Sequence, residues 1–485
     1  MPEDVRALRL IDMISSQKGS WTRRVIHALI SIALRLFFRR IEVSGVGRVP
    51  PSTVPLIFVL NHPNGLIDPA LVFCAFPRRV SFLAASTLFR LPVIGSLLRV
   101  VEALPLYRRV DASHDTNRNI QTFKACHELL RQGRCIALFP EGVSHDATHL
   151  LPLKTGAARI ALGAISLSRP AAAPDLAPDE AISLSIVPVG LYYTSKTSFR
   201  SEALLRFGEP LEVSPVALDQ DGEPPRDEVK RLSKRIETAL REVTLNTEDD
   251  VELEQVKRAE ALFSSLYESI AFKQTLYETF NTLRRLAEGL RLVRVHAPDR
   301  VEKLRARIER YENELRTIGI TPDALSISAH SRGYVFRHFL LRSLLIALLS
   351  PLALLGALVH LPAYLLSNLL AWRYRTHGPD SIAPTVKILA AILLMPLTWL
   401  IVSALSWFWW GWRASLLVLP LVVLTGYVAL RVFEELYEMR GWFKSVLVLL
   451  RQRGLFMRLL LERRALHQEI QQLVANESKE TGTRS

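Results

Sequence analysis

Cysteine is scarce: Cys74, Cys126 and Cys135 are the three in 485 residues, and none forms a CxxC pair. That excludes a disulfide framework and a cysteine zinc site, and predicts buried, reduced thiols in a cytosol-facing domain. The opening stretch, MPEDVRALRL, lacks the charged–apolar–small-residue order of a cleaved signal peptide, so none is expected. No GxSxG stretch is present, and Ser144, two residues beyond Gly142, sits in no nucleophile elbow. A hydrolase would therefore lack its nucleophile. His145 and Asp146 suggest metal ligands beside His62, but no further ligand spacing supports them, so no metal is expected. Charge is missing altogether from residues 343–371 and again from 388–412.

Apolar and basic residues are plentiful. Hydrophobic residues make up 49% of the chain, mean hydropathy is +0.18, the formal net charge is +14 and the pI is near 9.9. A basic chain with long apolar segments suits an anionic bilayer better than a nucleic acid, so no nucleic-acid partner is expected. A helix rises about 1.5 Å per residue, so about 20 residues cross a hydrocarbon core of about 30 Å. Both charge-free runs are long enough, and 414–430 is a marginal third. Pro351, Pro362, Pro396 and Pro420 mark places where these helices would kink or turn back. Trp407, Trp409, Trp410 and Trp412 cluster as an interfacial belt would. Two to three transmembrane helices are expected between 336 and 433, in an integral membrane protein.

The rest divides by pattern. Residues 1–44 hold TRRVIHALISIALRLFFRR (22–40), too short to span and flanked by arginines, which predicts an amphipathic helix in the interface. Across 45–225, short apolar runs (PLIFVLN, VSFLAA, CIALFP, SLSIVPVGLYY) alternate with helical stretches. That alternation predicts a layered α/β domain with a mixed sheet. Residues 226–335 are charged with three- and four-residue apolar steps, a helical appendage broken at HAPDR (296–300). Residues 434–485 form a basic amphipathic tail, on the membrane surface or in helical contact.

Four stretches carry chemistry. In LNHPNGLIDPALV (60–72), Asp68 before Pro69 makes a helix cap, and His62 is either a loop histidine or a base paired with Asp68. EALPLYRRVD (102–111) places Arg108 at a strand end, where a guanidinium can hold a phosphate or simply face solvent. CIALFPEGVSHD (135–146) offers Glu141 and then a flexible Gly142. LPLKTGAARIAL (151–162) sets Lys154 at a helix start, which suits an anion or a plain cap.

The first three of these stretches, in their order and with VPVG (187–190) after them, resemble the glycerolipid acyltransferase family, the PlsC-like lysophospholipid acyltransferases. That family's first motif has four residues between histidine and aspartate, and this chain has five, Pro63 to Ile67. NHPNGLIDP, ALPLYR and FPEGVSHD look like the fungal-type glycerol-3-phosphate/dihydroxyacetone-phosphate acyltransferase branch and its bacterial relatives. The resemblance implies His62 as general base with Asp68 as its partner, and Arg108 on the acceptor's phosphate. It also implies Glu141 and Gly142 in acceptor binding and Pro188 on the acyl-donor side. Lys154 joins the acceptor set as an anion site. The implied reaction is acyl transfer from acyl-CoA or acyl-carrier protein to glycerol 3-phosphate, or alternatively to lysophosphatidate. It needs no cofactor, and the catalytic domain would sit on the cytoplasmic face of a lipid membrane. A lipid-binding protein on the same scaffold is the non-catalytic alternative.

Overall fold

The computed structural model describes residues 4–15, 20–107, 116–168, 183–196, 198–264, 274–318, 332–373 and 383–482. The chain divides into two compact units, the first running to Asn246 and the second beginning at Thr247.

The first unit is built on a mixed sheet. Its strands are β1 (Val5–Ala7), β2 (Phe38–Ser44), β3 (Leu56–Leu60), β4 (Val80–Ala85), β5 (Leu104–Leu106), β6 (Cys135–Leu138), β7 (Leu184–Tyr193), β8 (Ser201–Phe207) and β9 (Leu211–Val213). They lie in the order β1-β2-β8-β7-β3-β6-β4-β5, with β9 also on β7. The stretch from β7 to β5 is parallel. β8 and β9 run antiparallel to β7, β2 runs parallel to β8, and β1 is antiparallel to β2.

β3 reads LIFVL and is buried throughout, because helices cover both faces of the sheet. The first unit's helices are α1 (Leu10–Ser15), α2 (Trp21–Phe37), α3 (Ile67–Ala75), α4 (Pro92–Val100), α5 (Thr116–Arg131), α6 (Gly156–Ser168) and α7 (Arg226–Val243). Ile57 and Val59 point into one core with Ile136, Ile186 and apolar residues of α5, α6 and α7. Phe58, on the alternate face, meets Phe76 just beyond α3 and Phe207 at the end of β8.

Two expectations about the edges of this domain are corrected. The amphipathic helix expected over 22–40 ends at Phe37, and Phe38–Arg40 already belong to β2. Three of the flanking arginines are engaged in the protein: buried Arg23 donates to Val100 O, and Arg39 and Arg40 hold the Glu202 carboxylate. The helix instead exposes Trp21, Leu29, Ile32 and Leu36. Helix α7, expected in the appendage, packs on the sheet. Its Val229, Leu232, Ile236, Leu240 and Val243 recur at helical spacing and are buried in the first unit's core.

The second unit is helical. α8 (Asp250–Ser264), α9 (Leu276–His296), α10 (Pro298–Ile318) and α13 (Arg453–Gly482) pack together, with Val256, Phe280, Leu283, Ile308, Leu460 and Leu466 buried. The basic tail therefore lies in helical contact. Fully buried Arg463 donates to the carbonyls of Ala261 and Leu262, and Arg307 pairs with Glu462 at 2.7 Å.

Between α10 and α13 lie α11 (Arg332–Arg373) and α12 (Ala383–Arg451). Within them, Leu340–Arg373 and Val386–Tyr437 are long and apolar enough to cross a membrane. The second is not one rod. Gly411 has φ 82° and ψ 174°, non-helical values open to glycine and essentially closed to other residues. In an unbroken helix, residues 12 apart stand about 18 Å apart. Ser403 Oγ nevertheless lies 2.7 Å from Ser415 Oγ, so the chain doubles back at Gly411 into a helical hairpin. The four prolines expected to cause such a turn all lie inside helical segments.

Candidate active site

The parallel strands end at one edge of the sheet, where loops of open α/β sheets build sites. β3 delivers Asn61 and His62 there, β6 delivers Phe139 to Glu141, and β7 ends on Tyr193. Asn61 ties β3 to β7: its amide accepts from Leu191 N–H at 2.7 Å and donates to Leu191 O at 3.0 Å.

The structure brings His62 and Asp68 together, with Nδ1 at 2.8 Å from Oδ2. The extra residue in the loop is absorbed by a turn in which Ile67 N–H donates to Asn64 O, with Gly65 at positive φ. Asp68 is not the cap that its place before Pro69 suggested. The helix starts at Ile67 after Leu66, so Asp68 lies in the first turn, where the helix dipole favours a carboxylate. The side chain is fully buried, and Oδ2 also accepts from Asn64 N–H at 2.7 Å. Tyr193 donates to Oδ1 at 2.6 Å. Burial first, then the Asp68 charge, raises the Tyr193 phenol well above 10, so it stays a donor.

His62 is partly open, with 17% of its side chain exposed. Its ring stacks on Phe139 at a centroid distance of 4.1 Å. With Nδ1 donating to Asp68, Nε2 is left as the acceptor nitrogen, the state a general base needs.

FPEG folds as a β-turn: Gly142 N–H donates to Phe139 O at 3.0 Å, with Pro140 at the second position, which proline prefers. Gly142 has φ 77°, the left-handed region that glycine enters freely. Glu141 is buried. It accepts from His62 N–H at 2.8 Å and Leu151 N–H at 2.9 Å, and its other contact is His145 Nε2. Ser144 Oγ accepts from Gly65 N–H at 2.9 Å. Lys154 lies beside the turn, its N–H donating to Pro140 O at 2.7 Å and its side chain exposed.

Pro188 is buried inside β7, away from the strand end. On that edge β7 pairs with β9 over Leu184–Ile186 and with β8 over Val189–Tyr193, so Pro188 falls between the two ladders. Its carbonyl accepts from Gly208 N–H at 2.8 Å, and its missing N–H breaks no ladder bond. Arg108 lies outside the described residues. Among the described residues no group of three or more His, Cys, Asp or Glu side chains is arranged to hold a metal.

Sequence reasoning missed Tyr193 and the clamp made by Ser144 and His145. The usable signal for Tyr193 was its place at the end of the fourth apolar run, on the same sheet edge as His62.

Fold and site define an α/β acyltransferase domain of the PlsC-like class, and residues 40–192 match the Acyltransferase family. Residues 261–480 match the Glycerol-3-phosphate acyltransferase 2 C-terminal domain, so the chain carries the two domains in tandem. It is homologous to the glycerol-3-phosphate O-acyltransferases of Saccharomyces cerevisiae. It is 27% identical to Glycerol-3-phosphate O-acyltransferase 1, over 89% of this chain and 65% of that one. It is also 27% identical to Glycerol-3-phosphate O-acyltransferase 2, over 59% of this chain and 38% of that one. The chain thus spans less than two thirds of either yeast protein's length. A chloroplastic 1-acyl-sn-glycerol-3-phosphate acyltransferase of Brassica napus is 29% identical over 29% of this chain and 40% of its own. Among solved structures, the PlsC acyltransferase from Thermotoga maritima aligns with a TM-score of 0.32 at 17% identity, over 48% of this chain and 85% of that one.

Proposed function

We propose that the protein is a membrane-bound acyltransferase that moves a fatty acyl group from an acyl thioester to the hydroxyl of glycerol 3-phosphate. The observation that carries this reading is the His62–Asp68 pair, its carboxylate buried and its imidazole open at Nε2. Nε2 takes the proton of the acceptor hydroxyl as the oxygen attacks the thioester carbonyl. The carbon–sulfur bond then breaks, and the thiolate of CoA or acyl-carrier protein takes that proton back from His62. Asp68 holds the ring in the Nδ1–H tautomer and stabilises the imidazolium. Arg108 is assigned to the acceptor phosphate because its stretch resembles the family's arginine motif, and Lys154 because it stands at a helix start that suits an anion.

Glycerol 3-phosphate is chosen over lysophosphatidate because matches to the yeast glycerol-3-phosphate enzymes reach across most of this chain, whereas the plant match covers 29% of it. The two apolar segments support a membrane-bound enzyme, held where its acyl chains and product partition, and we assign the catalytic domain to the cytoplasmic face. The test is acyl transfer by the full chain in detergent micelles, with palmitoyl-CoA and each acceptor in turn. We expect glycerol 3-phosphate to be acylated by wild type and not by His62→Ala. Acylation of lysophosphatidate alone would move the assignment to the second step of the pathway chemistry, and turnover retained by His62→Ala would remove His62 as the base.

A further inference from the structure

We propose that Glu141 and His145 are positioning residues for His62 and not ligands of the acceptor; the inference rests on the acyl-transfer reading above. The resemblance of PEG to the family motif pointed Glu141 at the acceptor. Its side chain has no exposed surface. Oε1 accepts from His62 N–H at 2.8 Å, and Oε2 accepts from Leu151 N–H at 2.9 Å and meets His145 Nε2. A carboxylate so placed cannot touch an acceptor hydroxyl unless the loop comes apart, and its charge would repel a phosphate.

What the same segment does touch is the peptide of His62, from both sides. Glu141 holds the N–H of His62, while His145 N–H donates to His62 O at 3.2 Å. Ser144 takes Gly65 N–H, three residues further round the turn. Phe139 lies flat on the His62 ring. Lys196 Nζ in turn donates to His145 O at 3.1 Å, and Asn64 Nδ2 donates to Lys196 O at 3.3 Å, which closes the ring of contacts. Two histidine–carboxylate pairs thus stand back to back. His62–Asp68 keeps its imidazole partly exposed, whereas His145–Glu141 is buried and fixes where the first pair sits.

Side-chain placement of this kind acts on the reaction step more than on binding. A misplacement of about 1 Å can cost about 100-fold in rate. His145→Leu removes the donor to Glu141, and His145→Gln keeps an N–H near the position of Nε2. We expect His145→Leu to lower kcat by about 10- to 100-fold while the KM for glycerol 3-phosphate stays within about twofold. His145→Gln should restore most of that loss. Ser144→Ala, at a half-exposed site that tolerates the change, should give the same signature at about 3- to 10-fold. The measurement is steady-state acyl transfer with palmitoyl-CoA and varied glycerol 3-phosphate by the full-length variants, beside their thermal unfolding. A rise in acceptor KM of about tenfold at unchanged kcat in His145→Leu or Glu141→Gln would make these residues acceptor ligands and overturn the proposal. So would wild-type kcat in Ser144→Ala, whose folding is not at stake. Absence of acyl transfer by wild type itself would instead sink the acyl-transfer reading.

Discussion

Tyr193 donates its hydroxyl to Oδ1 of Asp68 at 2.6 Å, on the carboxylate oxygen that His62 does not use. Three donors therefore converge on one buried carboxylate: His62 Nδ1, Asn64 N–H and the phenol. Removing one leaves the charge under-satisfied, and a bond to a charged group contributes about 1.5–3 kcal/mol. Tyr193→Phe should lower stability by about 1–3 kcal/mol and kcat by about tenfold, because the freed carboxylate oxygen lets Asp68 turn away from His62. Denaturant melts and kcat on the same preparation check both. Because the folded phenol titrates above its unfolded value of 10, its contribution is whole below pH 10 and is lost as pH rises further. Alkaline unfolding should accordingly begin at a different pH in Tyr193→Phe.

Asp68→Asn keeps the shape and removes the charge. The amide presents an NH2 to one of three donors, so the packing of the site itself disfavours it. It also ceases to hold His62 in the Nδ1–H tautomer. A loss in kcat on the order of 10³ is expected, with substrate KM changed little. A variant within about threefold of wild-type kcat would mean that Asp68 serves only the helix start.

The central strands were legible because strands covered on both faces are short unbroken apolar runs, and LIFVL is one. β2 was not legible. FRRIEVS reads as the end of a basic helix until Glu202, more than 160 positions away, neutralises Arg39 and Arg40. The pairing of His62 with Asp68 lay within six positions and could be read, whereas Tyr193 reaches Asp68 across 125. Glu141 shows what a motif does not carry: resemblance implies a place in acceptor binding, and nothing in the sequence marks its carboxylate as buried on the N–H groups of His62 and Leu151.

His27 makes a pH prediction outside the site. It is buried on α2, edge-on to Phe73, with Arg23 over the same ring. Burial first, then the Arg23 charge, lowers its pKa from 6.5 to about 4. A depressed pKa means that the unfolded chain binds the proton more readily. The stabilising contribution is therefore complete above pH 6.5 and is lost as pH falls through about 4. The melting temperature of wild type should fall more steeply between pH 6.5 and 4 than that of His27→Leu. Parallel slopes would remove His27 from the account.

The reversal at Gly411 is testable without any assay of activity. Ser403 and Ser415 touch only because the helix turns back, and an unbroken helix would hold them about 18 Å apart. The three native cysteines are buried in the sheet unit, so a pair introduced at 403 and 415 can be followed alone. Ser403→Cys with Ser415→Cys should form an intramolecular disulfide under mild oxidation in membranes, and either single variant should not. The hairpin puts Phe408, Trp409 and Trp410, all exposed, at its tip, where an aromatic cluster suits a membrane–water interface. Both α10 and α13 lie in one packed bundle, joined by Arg307–Glu462 and Arg458–Glu314. Failure of the double variant to cross-link, with both cysteines accessible to a thiol reagent, would restore a straight second span.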